Sequence, residues 1–267
     1  MKRLLAGLIA VALIGAGFFV HAKRTDPERG RAPLQLWCAA DAAMVCAAVQ
    51  SRAAGRVVVT IASPLQVEPA LAANKPIDAI VTSPAWIKSL DDQSRLRVQT
   101  PLASAPVVVV GRSGASGCVD LPCLIQPDTR AALPKADTLA ASIVAAAGTK
   151  EKTADEIPTQ VLDHVRAGGT ATAGIDPLTA LVNAGLIAAV VTLKPSAGGL
   201  ANVTVRPVTP TASLELDLGW ITEDPRLDDL GRRLITEFRR QGWDAAAASP
   251  SGPDSTATMA AYVILNS

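Results

Sequence analysis

The chain has 267 residues, with 25 Lys and Arg against 24 Asp and Glu, 49% apolar residues and only 3% aromatics. A near-neutral balance without a basic excess argues against a nucleic-acid binder, and the apolar content argues against global disorder. One Tyr, three Phe and four Trp leave little material for aromatic cages, while the length allows one large core or two small ones.

Met1-Lys2-Arg3 opens the chain and is followed by Leu4 to Val20, a stretch without a charge. This pattern predicts an export signal or a single membrane helix, with Val20-His21-Ala22 as the candidate cleavage site. No Cys lies there, so a lipid-modified Cys is excluded. Residues 21–33 are polar with two Pro and read as a linker. Residues 1–33 are thus a signal peptide or anchor plus linker, and the rest works outside the cytoplasm in either case.

The cysteines agree with that compartment. Four of them, Cys38, Cys46, Cys118 and Cys123, are an even number in an exported chain, which reads as a disulfide framework. Three connectivities exist; the short-loop pairing 38–46 with 118–123 is favoured. Neither pair is C-x-x-C, and the only histidines are His21 and His164. No metal and no cofactor are predicted.

From residue 34 the pattern alternates strand and helix. Leu34–Cys38 is a short apolar run, and Asp41 can cap a helix ending near Gly55. A β-branched strand over 56–62, a helix over 64–74, a strand over 77–82 and a short helix over 85–93 follow. Further strands are expected at 96–98 and 105–110. This βαβαβ order implies a parallel sheet covered by helices. Gly111–Gly117 breaks the pattern. Beyond it, helices are expected near 137–147, 154–166 and 177–185, with strands at 170–175, 186–192, 202–208 and 214–221. An amphipathic helix spans about 225–241, and residues 249–267 form a loop-like tail closing on an apolar run.

Four stretches carry a family resemblance: Leu36-Trp37-Cys38-Ala39-Ala40-Asp41, Pro76-Ile77-Asp78 through Ser83, Pro101-Leu102-Ala103-Ser104-Ala105-Pro106, and Val205-Arg206-Pro207 through Asp224-Pro225-Arg226. Their order resembles the type II extracytoplasmic solute-binding proteins, the group containing the molybdate-binding proteins. A closer likeness is to the solute-binding-like region preceding a von Willebrand A domain in some actinobacterial envelope proteins. No D-x-S-x-S sequence occurs, so such a second domain is not expected.

The resemblance implies a two-lobed α/β fold of the type II periplasmic-binding-protein kind, each lobe a parallel-rich sheet flanked by helices. Residues 34–110 and 209–248 would form lobe 1, and 111–208 lobe 2, with crossings near 111 and 208. A ligand would sit between the lobes, at strand ends and helix N-termini whose unpaired N–H groups suit an oxyanion. The implied ligand-binding residues are Ala40, Asp41, Thr82, Ser83, Ser104, Asp176 and Ser213. One departure stands out: oxyanion-binding relatives carry Ser where this chain has Asp41. A carboxylate about 4 Å from an anion repels it by roughly 4 kcal/mol at an effective dielectric near 20. Molybdate is therefore not expected as the ligand unless Asp41 turns away to cap its own helix.

Enzyme chemistry is not expected. G-x-S-x-G is absent, Ser83 and Lys88 do not make S-x-x-K, and Gly111–Gly117 lacks the Lys-Ser/Thr of a phosphate loop. His164 reads as a partly exposed helical histidine beside Asp163. The expected role is capture of a small polar solute, with a membrane permease or another envelope protein as partner and the membrane itself if the leader is uncleaved. No nucleic-acid partner is expected. The alternative is an envelope scaffold with a filled or disused cleft.

Overall fold

The computed structural model describes residues 31–93, 95–112, 117–149, 180–198, 200, 202–246 and 255–267. The leader, His164, the 154–166 helix, the 170–175 strand and Asp176 lie outside the described residues. Leu34–Ser267 forms one compact unit.

The first part of that unit follows the expected alternation. Strand β1 (Leu34–Cys38) buries alternate residues and leads through a 3-10 turn, Ala40–Ala42, into helix α1 (Ala43–Arg52). Strand β2 (Val57–Ile61), helix α2 (Val67–Ala72), strand β3 (Ala79–Thr82) and helix α3 (Pro84–Asp92) follow. Strand β1 lies parallel to both β2 and β3, as crossover helices require.

The two strands expected at 96–98 and 105–110 are instead one long strand, β4 (Val98–Arg112). Its continuity follows from a change of partner. Val98–Pro106 pairs antiparallel with β8 (Ser213–Trp220), whereas residues from Val107 onward pair with β6 (Ala189–Leu193) and β7 (Val203–Pro207). Strand β4 thus runs out of one half of the sheet into the other. The chain returns through residues 208–212, where Val107 N–H donates to the Ala212 carbonyl at 2.8 Å. The main sheet path is β2-β1-β3-β8-β4-β6-β5, β5 being the short Ala131–Ala132, with β7 pairing to β4 off it. It is parallel at β1–β3 and β5–β6, and antiparallel wherever β4 or β8 takes part.

Helices α4 (Leu121–Leu124) and α5 (Leu139–Thr149) cover the second half. Helix α6 (Arg226–Arg240) packs beside α1, its face of Leu227, Leu230, Leu234 and Phe238 fully turned inward. The apolar core is continuous across both halves, from Leu36 and Leu216 through Val107 to Val144 and Val191. The tail corrects the loop-like expectation: Ser255–Leu265 is a helix, α7. Among the described residues no helix is long and apolar enough to cross a membrane.

Cys38 pairs with Cys46 and Cys118 with Cys123. The first pair ties the end of β1 to α1, beside the 3-10 turn carrying Asp41. Replacing both Cys38 and Cys46 by Ser frees that short loop in the unfolded chain. Loop-closure entropy predicts a loss of about 2.5 kcal/mol, measurable by urea unfolding.

Candidate functional site

The turn that follows β1 meets the N-terminus of α5. That end of α5 is where an anion would be expected to sit, since the first N–H groups of a helix have no intrahelical acceptor. In this chain they are already taken. Asp41 Oδ2 accepts from Leu139 N at 2.7 Å and Oδ1 from Ala140 N at 3.2 Å. Thr138 Oγ1 accepts from Ala141 N at 3.2 Å. Asp41 therefore does not cap its own helix; it caps one almost a hundred residues away, in the other half of the fold.

Burial pushes the Asp41 carboxyl up from the ordinary 3.8 to about 6, against the downward pull of the two α5 N–H groups, with the Asp137 carboxylate adding to the rise. Between the unfolded and folded values the native chain binds more protons, so this group's contribution to stability is lost as pH rises from about 4 to about 6.

Tyr262 of α7 fills the adjoining space. It is fully buried, and its hydroxyl lies 3.1 Å from both Ser63 Oγ, just past β2, and the Asp137 carbonyl, just before α5. Its ring meets Trp86 of α3 edge-on at 5.9 Å between centroids. Burial and the Asp41 and Asp137 carboxylates raise the phenol above its usual range, so it stays neutral. Asn266 Nδ2 donates to the Ala136 carbonyl at 2.9 Å and secures the end of the helix. Helix α7 thus spans from α3 to α5 and covers the junction. Tyr262 has no place among the residues implied by resemblance. The sequence held one signal for it: a lone tyrosine in the apolar run that closes the tail.

The other expected site residues do not converge. Ala40 sits in the 3-10 turn, where its carbonyl accepts from Ala43 N–H. Ser104 and Ser213 both donate to Glu215 Oε1, at 2.7 and 3.0 Å, and tie β4 to β8. Ser83 precedes α3 without capping it through its side chain. Thr82 is 3% exposed and shares the face of β3 that carries Ile80, over α2 and α3. Its hydroxyl finds no partner among the described residues and lines a cavity of about 70 Å³ with Trp86 and Ser89. Asp217, opposite Thr82 on β8, is raised by burial and accepts from Gln99 at 2.5 Å.

No family model and no curated relative matches the chain. Solved structures do. The substrate binding domain assigned to a molybdenum ABC transporter from Clostridium difficile is similar at a TM-score of 0.53 and 16% identity, over 80% of this chain and 99% of that one. Iron-bound HitA from Pseudomonas aeruginosa is similar at 0.55 and 9% identity, over 88% and 99%. An OxyR C206 mutant from Corynebacterium glutamicum gives 0.50 and 15% identity, over 90% and 74%. The fold is two-lobed and periplasmic-binding-protein-like. Asp41 follows strand β1 and Leu139 opens the helix that covers the second half of the sheet, so their hydrogen bonds join the two halves.

Two measurements check this geometry. The unfolding free-energy difference between wild type and Asp41→Asn, from urea unfolding, is expected to shift against wild type between pH 4 and 7, by on the order of 3 kcal/mol at most. Tyr262→Phe keeps the ring packing but leaves Ser63 and the Asp137 carbonyl short of a partner; urea unfolding should show a loss of about 1–2 kcal/mol.

Proposed function

We propose that this chain is an extracytoplasmic binding protein that captures a small polar solute carrying no oxyanion, between lobes formed by residues 34–110 with 209–248 and by 111–208. The observation that carries the reading is the Asp41 carboxylate on the α5 N–H groups. It occupies the place that a bound oxyanion would take. A second anion there would meet both a charge and a helix end without free donors. Neutral and cationic solutes face no such barrier. The paired cysteines and the basic-then-apolar leader support the compartment. Delivery to a membrane permease fits the resemblance to transporter-associated binding proteins.

The test is calorimetric. Titration of the wild type with molybdate or sulfate should give no binding heat, whereas Asp41→Ser, which frees the Leu139 and Ala140 N–H groups, should acquire saturable oxyanion binding. Tight molybdate binding by the wild type would overturn the reading.

A second reading, an envelope scaffold, is favoured by Tyr262, which fills the junction from within. It also fits the resemblance to the envelope proteins with a von Willebrand A domain. A thermal-shift screen over amino acids, amines and sugars separates the two. A bound solute raises the midpoint by mass action, and silence across the panel favours the scaffold.

A further inference from the structure

Helix α1 leaves the carboxyl end of β1 and runs back along the sheet, so Arg52 in its last turn lies at the far end of this half of the fold from the Asp41 clasp. There α1 and α6 enclose a groove of about 290 Å³ lined by Val49, Arg52, Arg232, Arg233, Thr236 and Glu237.

Glu237 forms the floor. Only 2% of its side chain is exposed, and it accepts from Arg52, from Arg240 Nε and Nη2 at 3.0 and 2.5 Å, and from Gln241 Nε2 at 2.8 Å. The Arg240 guanidinium is the largest influence holding its carboxyl at about 2, well below the usual range, so it is ionised at any physiological pH. On the rim, Asp229 is shared in the same way by Arg233 at 2.5 Å and Arg232 at 3.6 Å. Four guanidinium groups thus surround two carboxylates, in a chain whose overall charge is only +1.

Each carboxylate is divided between two arginines, and every guanidinium has five N–H donors. Arg52, Arg232 and Arg233 remain 55%, 71% and 46% exposed, with donors turned to solvent. The buried glutamate fixes the Arg52 fork in advance, which reduces the ordering cost of binding. Planar forks match the paired oxygens of a phosphate. Val49 and the Thr236 methyl supply an apolar wall, because the Thr236 hydroxyl is engaged with the Arg232 carbonyl at 2.8 Å. The groove is larger than a bare ion needs.

We infer that the α1–α6 groove is a second binding site, taking a small organic phosphate ester whose phosphate lies between Arg52, Arg232 and Arg233 and whose carbon part rests on Val49. It requires nothing of the interlobe junction.

The experiment is titration of the full-length protein with glycerol 3-phosphate, followed by calorimetry and by phosphorus resonance. Saturable binding is expected, weakening as salt is raised, because the contacts are partly exposed charges. The double variant Arg232→Gln/Arg233→Gln changes only exposed side chains and should lose roughly tenfold or more in affinity. Arg52→Gln should do the same. Absence of saturable binding at millimolar concentration overturns the inference, as does binding that survives both arginine variants. Binding of a glutamate-rich peptide without binding of the phosphate ester also overturns it, and marks the groove as a protein contact.

Discussion

The first turn of α5 needs hydrogen-bond acceptors, and this requirement organises the middle of the molecule. A helix end in a crowded junction cannot leave its N–H groups bare. Water, a bound anion or a side chain must satisfy them. Here Asp41 meets two and Thr138 a third. Because Asp41 follows β1 and α5 belongs to the other half, one carboxylate joins elements that no sheet pairing connects.

The Asp41 arrangement carries an energetic tension. Desolvation disfavours the carboxylate, the helix N–H groups favour it, and the desolvation is the larger effect, as the direction of the shift records. The chain retains an acid that is not at its most stable at neutral pH. A neutral side chain could satisfy part of the helix end at lower cost. What it could not do is repel a competing anion.

Tyr262 adds a second tie between the halves, through a neutral group. Its hydroxyl bridges Ser63 and the Asp137 carbonyl while its ring packs on Trp86. With so few aromatics in the chain, the burial of this one tyrosine at the junction gives α7 a fixed seat. The groove between α1 and α6 has a different character, since its charges are half in solvent and its one buried acid serves to hold arginines in place. The two regions lie at opposite ends of α1.

The local patterns of residues 34–93 were legible in the sequence because they rest on the apolar and β-branched character of neighbouring residues. Alternation in β1, the β-branched run of β2 and the amphipathic stripe of α6 are properties of neighbouring residues, and so is the short-loop pairing of the cysteines. Chemistry at a distance was not legible. That 96–112 is one strand depends on β8, β6 and β7 taking turns as its partners, and α7 is helical in a seat made by α3 and α5. A carboxylate at position 41 was evident, as was its conflict with an oxyanion. Which helix it caps depended on where the other half of the chain came to rest. The serines at 104 and 213 read as ligand contacts, yet they meet the same glutamate once β4 and β8 lie side by side. Sequence determines what a residue can donate or accept; only the folded chain decides which partner comes within three ångströms, because hydrogen bonds are short and the separations along the chain are long.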